Sequence, residues 1–403
     1  MMAVSESGGN LPLAGIRVLE FTHLIAGPTA GMILANLGAD VIKVEPAPHG
    51  DSTRRLEGFT GGFSDFFNRN KRSIAVDLKK PESAAVVAKL CGNADVLIEN
   101  FSPGTMDRLG LGFEKIHASF PRIVYCSIKG FLPGPYENRT ALDEVVQFMG
   151  GLAYMTGPVG EPLRAGTSAV DLMGGAMAAV ATLASLRERD QTGVGQLVQS
   201  ALFESVAFMM GQHMAASALL GTELPPMPAR EGGWSIYRLF RSASGQQVFI
   251  AITSDALWQR FCAAFGLEDL GRDARLETNA LRLAARPWLL PRIEATLEAL
   301  DADVIMDRCE QARIPFSGVG TVTTLFSDPQ LRASGILSNT LMRDGSYAML
   351  PGLPVKLSNH QFELRCQPPK VGEHTIQILE DAGTDRAQIG AWIDQGVLHA
   401  PLV

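Results

Sequence analysis

Short apolar runs alternate with amphipathic ones through the first third of the chain. Ile16–Phe21 (IRVLEF) reads as a strand, Gly27-Pro28 opens a helix over Thr29–Leu37, and Gly38 closes it. Asp40–Glu45 (DVIKVE) is the next strand, which completes a compact βαβ unit, right-handed by default. The pattern repeats with a helix at Pro81–Cys91, a strand at Asp95–Asn100, a helix near Pro103–Leu109 and a strand at Ile123–Ile128. Parallel strands with helices between them predict a doubly wound, Rossmann-like α/β sheet, which binds ligands at the carboxyl ends of its strands. Those ends carry His23 to Pro28, Asn100-Phe101 and Lys129-Gly130.

From Thr140 to Gly221 the pattern turns helical, with segments at Ala141–Gly150, after Asp171, and at Leu197–Leu220. Asp171 is the lone carboxylate in an uncharged run from Ala165 to Leu186, which predicts a helix buried on nearly every side. A lone acid there is either a structural cap or a chemical group. Near the first turn, free N–H groups and the helix dipole favour an anion, and the same environment keeps Asp171 ionised, as a carboxylate nucleophile requires. Gly174 and Gly175 permit close approach by another backbone or a ligand.

The proline- and glycine-rich stretch GTELPPMPAREGGW interrupts the helical pattern and reads as a linker. Beyond it, Tyr237–Ile252 reads as a hairpin about a Ser-Gly turn, and Trp258–Leu267 and Pro291–Asp307 as amphipathic helices. The expected organisation is a large α/β domain over 1–221, a linker at 222–231, a small α+β domain over 232–322, a second linker at 323–355, and a return over 356–403 that completes the large domain.

Composition narrows the class. A chain of 403 residues, 46% of them hydrophobic, buries a large core, and a net charge of −7 argues against nucleic-acid binding. The five cysteines lack CxxC spacing and the seven histidines form no HExxH, so neither a disulfide framework, a zinc site nor any other metal is implied. The first crossover, HLIAGPTAG, lacks GxGxxG, which leaves a nicotinamide reading weak. The start, MMAVSESGGNLPLAG, has no basic n-region or apolar h-region, and the apolar run around Asp171 has no second span to pair with. The expectation is a cytoplasmic protein with no membrane partner.

The motifs RVLEFTHLIAGP, LGADVIKVEP followed by GDSTR, NRNKRSIAVDLK, DVLIENFSPGTMDRLGL, the Asp171 stretch and GEHT occur in this order over nearly the whole chain. In that set the sequence resembles the class III CoA-transferases, the group that includes formyl-CoA:oxalate and carnitine CoA-transferases, with α-methylacyl-CoA racemase as a relative. The resemblance implies interlocked homodimers, each subunit a ring of large and small domains. It puts the catalytic aspartate at Asp171 and coenzyme A contacts at Leu24, Ile25, Ala26, Lys71, Asn100, Phe101, Arg108 and Lys129. It departs from some members at Ile25 and Pro46, where those carry Gln and Arg. Glu231-Gly232-Gly233-Trp234 matches a glycine loop over the aspartate, so Gly232 and Gly233 are expected as lid and oxyanion donors, with Gly174-Gly175 as further donors.

The chemistry suits the residue types. The phosphates of CoA need Lys, Arg or free helix N–H groups, and the ring of Phe101 offers a face to adenine. Taken singly, each basic residue reads more readily as a solvated surface charge, and Asn100-Phe101 equally well as a strand-end cap with a core aromatic. The expected reaction moves CoA between an acyl-CoA and a free carboxylic acid through an aspartyl anhydride and an aspartyl-CoA thioester. A 2-methylacyl-CoA racemase and a non-catalytic acyl-CoA-binding paralogue are the alternatives. Racemisation needs bases on both faces of the α-carbon, and Leu142 stands where the racemase relative carries histidine. Arg139, Arg164, Arg230 and Arg238 flank the site and are candidates for a second carboxylate. The ENRTALDEVVQFMGGLAYMTGP stretch is similar to the branch acting on C4 and C5 dicarboxylyl-CoAs, including mesaconyl-CoA C1–C4 transfer.

Overall fold

A computed structural model describes residues 11–229 and 232–401. The chain divides into two compact units, Met1–Ala229 with Pro329–Val403, and Arg230–Asp328. The small unit is thus wider at both ends than the expected 232–322.

The large unit is organised on parallel strands β1 (Arg17–Phe21), β2 (Asp40–Pro46), β3 (Lys71–Val76), β4 (Val96–Glu99), β5 (Val124–Lys129) and β6 (Leu197–Ala201). Their order in the sheet is β3-β2-β1-β4-β5-β6, the doubly wound arrangement with its reversal between β1 and β4. The C-terminal strand Leu398–His399 adds to β3 antiparallel. Alternate side chains of each strand fill opposite faces. Val18, Val41 and Val96 join one core with helix α1 (Ala26–Asn36), while Leu19, Ile42 and Leu97 join the other. The second face is covered by residues of Ser83–Cys91, Thr375–Asp381 and Arg386–Asp394.

Three further helices build the site: α2 (Phe63–Phe67), α3 (Asp143–Met149) and α4 (Ala169–Thr192). The expectation that α4 is buried nearly all round is corrected. Its buried residues form one stripe, including Val170, Gly174, Gly175, Ala178, Ala179 and Thr182, while Val180 is 57% exposed. Alone among the described helices it is long and apolar enough to cross a membrane. Gly175 sits where a Cβ would lie 2.7 Å from that of Thr29, so its missing side chain lets α4 cross close against the start of α1.

Two strands escape the sequence pattern. β3 begins with Lys71 and Arg72, charges that mask its apolar continuation, and β6 merges in pattern with the helix that follows it. The helix expected from Leu197 starts at Leu202 as α5 (Leu202–Leu220), because Leu197–Ala201 alternates out and in beside β5. The expected linker over 323–355 is also corrected. It contains the antiparallel pair Leu337–Leu341 and Tyr347–Pro351, anchored by Arg69, whose guanidinium donates to Pro351 O at 2.6 Å.

The small unit has a three-stranded antiparallel sheet, Ile236–Arg241, Gln247–Ile252 and Phe316–Gly318, packed on helices through Trp258 and Phe261. The helix expected over Pro291–Asp307 is two, Asn279–Glu298 and Ala302–Gln311. The backbone at Asp301 (ψ 152°) is extended and restarts the chain as an N-cap.

Candidate active site

The reversal between β1 and β4 brings most of the expected CoA contacts to one edge. After β1 the chain turns at Leu24, a non-glycine residue at φ +60°, a strained conformation that needs a support. Leu24 N–H donates to Thr53 Oγ1 at 3.0 Å, Thr53 Oγ1 donates to Asp51 at 2.7 Å, and Asp51 pairs with Lys43 at 3.1 Å. Ile25 and Ala26 follow, both buried at the start of α1.

Across the reversal, Asn100 clamps His23 by accepting from its N–H and donating to its carbonyl, each at 2.9 Å. The Phe101 ring stacks on His23 with centroids 5.7 Å apart. Burial lowers the His23 imidazole, which favours its neutral form. Buried Glu99 accepts from Phe101 N–H at 3.0 Å and from Lys129 Nζ at 2.7 Å, and Lys129 also donates to Phe101 O at 2.6 Å. Arg108 is on the surface in Thr105–Arg108, making a local bond to Thr105 at 2.8 Å.

Lys71 is placed otherwise than expected. Its side chain is fully enclosed, paired with Glu20 at 2.7 Å and donating to Pro28 O at 3.1 Å. Burial pushes the ammonium down to about 8, against the attraction of Glu20. An enclosed, committed ammonium does not reach a phosphate, so in this structure Lys71 supports the β1–α1 turn from beneath. Arg72 is likewise occupied, bonded to Asp40 and Asp381 at 2.6 and 2.8 Å.

Asp171 stands in the first turn of α4, half-buried. The donors of that turn are already taken. Val170 and Asp171 N–H donate to Asp143 Oδ1 at 2.9 and 3.0 Å, and Leu172 N–H donates to Ser168 O at 3.0 Å. The other oxygen of Asp143 accepts from Gln147, whose own oxygen accepts from Ala165 N–H at 2.8 Å. Asp143 and Gln147 are both buried. Neither oxygen of the Asp171 side chain is hydrogen-bonded among the described residues. The expectation of a fully ionised Asp171 is therefore corrected: burial, then Asp143, then Glu144, push it up to about 7. Gly174 and Gly175 are corrected too. They lie inside α4, where the helix uses their N–H groups, and they pack against Leu202 and Thr29 instead of facing an oxyanion.

At the head of α4 opens a cavity of about 150 Å³ lined by Ile25, Phe59, Phe63, Phe67, Arg164, Ser168 and Leu172, and Asp171 itself is not among its lining residues. Of the expected arginines, Arg164 lines it, bonded to Glu144 at 2.7 Å. Arg139 lies over the ring of Tyr136, and Arg238 pairs with Glu294 in the small unit. Arg230 and Glu231 lie outside the described residues. Gly232 and Gly233 belong to the small unit, where their carbonyls accept from Arg286 at 3.4 Å and Asn279 at 2.8 Å. Asp143, Thr53 and the phenylalanine wall were not singled out in the sequence; the only available signal was the four-residue spacing of Phe59, Phe63 and Phe67. No group of three or more His, Cys, Asp or Glu suited to a metal occurs among the described residues.

Comparison with known proteins places the chain in a family. CoA-transferase family III matches residues 13–375. A succinate–glutarate CoA-transferase from Agrobacterium fabrum is 32% identical, covering 93% of this chain and 96% of its own. The succinyl-CoA:glutarate CoA-transferase of Homo sapiens is also 32% identical, covering 98% and 91%. Among solved structures, a CAIB/BAIF family protein from Brucella suis superposes with a TM-score of 0.82 at 31% identity, covering 93% of this chain and 100% of that one. With a family match over most of its length and a nucleophile candidate at the head of α4, the chain belongs to CoA-transferase family III.

Proposed function

We propose that this CoA-transferase moves CoA between short dicarboxylic acids, mesaconyl-CoA and succinyl-CoA chemistry included, through covalent intermediates on Asp171. The observation that carries the reading is a carboxylate whose backbone is clamped by Asp143 while both its own oxygens are free of hydrogen bonds among the described residues. Such a group is fixed in place yet unmasked as a nucleophile. A carboxylate oxygen of Asp171 attacks the acyl carbonyl, the C–S bond breaks, and CoA leaves as thiolate from an aspartyl anhydride. The thiolate attacks the Asp171 carbonyl, expels the donor acid and forms the aspartyl-CoA thioester. The acceptor carboxylate then regenerates a mixed anhydride, and the thiolate captures its acyl carbon. Anhydrides hydrolyse, so the site has to exclude water.

The proposed CoA contacts are Leu24, Ile25, Ala26, Asn100, Phe101, Arg108 and Lys129, supported by their gathering at the β1/β4 edge; Lys71 enters only as the buried support of that edge. Leu142, 53% exposed and without an ionisable group, supports transfer over racemisation. We further infer a homodimer, interlocked as the resemblance implies, in a reducing cytoplasm; the support is apolar surface open on α5 and five free cysteines. Incubation with succinyl-CoA and hydroxylamine tests the covalent path. Mass spectrometry is expected to find a hydroxamate at Asp171 and loss of activity, and Asp171→Asn with near-normal turnover would sink the scheme.

A further inference from the structure

The cavity at the head of α4, lined by Ser168 and Leu172 from that helix start, has a built-in charge pattern. Five of its walls are apolar or aromatic: Ile25, Phe63, Phe67, Leu172 and the rim at Phe59. The cationic lining residue is Arg164, which comes from the loop leading into α4, and Ser168 and Leu172 flank Asp171 on either side in the chain. Arg164 is not idle. Its guanidinium is satisfied by the Glu144 carboxylate at 2.7 Å, and both side chains are partly open to solvent, at 32% and 49%.

We infer that Arg164 is the residue that reads the distal carboxylate of the acyl group, with Glu144 holding its place until substrate arrives. This rests on the CoA-transfer reading above. A guanidinium fork is matched to one carboxylate, and Glu144 supplies that carboxylate from within the chain. Since the pair is partly exposed, exchanging Glu144 for another carboxylate strands no buried charge. Removing Glu144 from Arg164 without replacement costs little, so the exchange is cheap in both directions. The size of the cavity sets the other limit. A protein cavity of about 150 Å³ admits a benzene-sized guest, so a chain of four or five carbons fits within it. The apolar walls take the methylenes, the arginine takes the far end, and the near carboxyl is left at the head of α4. Among the other candidate arginines, Arg139 is committed to Phe131 and Tyr136 and does not line this cavity.

The test compares glutarate with valerate, acids of equal chain length that differ in the distal carboxylate. Their binding to the full-length protein in the presence of CoA is measured by calorimetry, alongside CoA transfer from succinyl-CoA. Wild type is expected to favour glutarate. Arg164→Gln reduces that preference about 2–5-fold, the range of a partly exposed ion pair, and Arg164→Lys restores part of it. Glu144→Gln, which removes the internal competitor, tightens glutarate and leaves valerate unmoved. An unchanged glutarate-to-valerate ratio in folded Arg164→Gln overturns the inference, as does a wild type without preference. If Arg164→Gln fails to fold, Glu144→Gln decides, because weaker or equal glutarate binding there has the same meaning. Absence of CoA transfer to any acid by wild type overturns the transfer reading instead, while the binding ratios still judge Arg164.

Discussion

The backbone N–H of Asp171 donates to Asp143 Oδ1 at 3.0 Å, across 28 positions of sequence and between two helices. Asp143 thereby caps α4 in place of its own N-cap residue, Ser168, which makes no side-chain cap bond. One carboxylate is used up so that the next stays free. The arrangement also sets two acids side by side, which is one reason Asp171 titrates near neutrality.

Asp143→Asn keeps an oxygen acceptor but deletes the neighbouring charge. Removing a negative neighbour lowers the Asp171 pKa, so the acid limb of kcat/KM, expected at about pH 7 in wild type, moves to lower pH. Asp143→Ala also strands the Val170 and Asp171 N–H groups and the Gln147 amide, costing about 1–3 kcal/mol of stability for each buried group left unpaired. A pH–rate profile identical in wild type and Asp143→Asn would refute the electrostatic link.

Asp171→Asn carries a prediction about stability with a definite sign. Because its folded pKa, about 7, is above the ordinary carboxylate value of 3.8, the folded protein holds a proton that the unfolded chain has lost between those pH values. Ionising Asp171 therefore erodes stability as pH rises from about 4 through 7, and the variant escapes that loss. Urea denaturation is expected to show Asp171→Asn close to wild type at pH 4 and more stable at pH 8 by at most about 4 kcal/mol, since the shift from 3.8 to about 7 carries about 1.4 kcal/mol per pKa unit. Equal stabilities at pH 8 would mean that the carboxylate is better solvated than its surroundings indicate.

Glu99, buried in the large unit, links two of the proposed CoA contacts, Phe101 and Lys129. Its carboxylate holds Lys129 Nζ, the Phe101 N–H and the Ser127 hydroxyl. In Glu99→Gln the ammonium of Lys129 loses its counter-charge and Phe101 loses a charge-assisted anchor, each worth about 1.5–3 kcal/mol. The expected result is a raised KM for acyl-CoA with kcat much less affected. A change confined to kcat would remove Glu99 from the binding edge.

How far the sequence was legible depends on what each residue had to satisfy. The βαβ alternation predicted the doubly wound sheet because strands buried on both faces, such as Val96–Glu99, have little freedom to vary in pattern. Asp171 was conspicuous as a single charge in an apolar run. Lys71 misled because a lysine in NRNKR looks exposed, and only the three-dimensional partner Glu20 shows otherwise. Glu20 itself alternates correctly for a strand and gives no local hint of two buried lysines around it. Asp143 gives no local hint for the same reason: its meaning lies in N–H groups far along the chain. Arg164 was among four candidates, and only the cavity beside Leu172 singled it out.

Oligomeric state is the last prediction, and its energetics separate two kinds of dimer. Helix α5 buries Leu202, Val206 and Met210 but exposes Phe208, Met214, Leu219 and Leu220, by 72%, 62%, 87% and 62%. Covering four such side chains yields roughly 6–12 kcal/mol at about 1.5–3 kcal/mol each. Association costs about 4–15 kcal/mol, so this face alone makes a dimer that dilution separates. Interlocked chains behave differently, because separation requires one of them to open and exchange is then as slow as unfolding. Mixing tagged and untagged protein at nanomolar concentration is therefore expected to give no mixed dimers until urea reaches the unfolding transition. Phe208→Asp with Leu219→Asp should loosen the apolar face and lower the urea midpoint, with exchange rising only in step with unfolding. Rapid exchange in wild type without denaturant would show an ordinary face-to-face dimer, and a folded monomer at nanomolar concentration would show none.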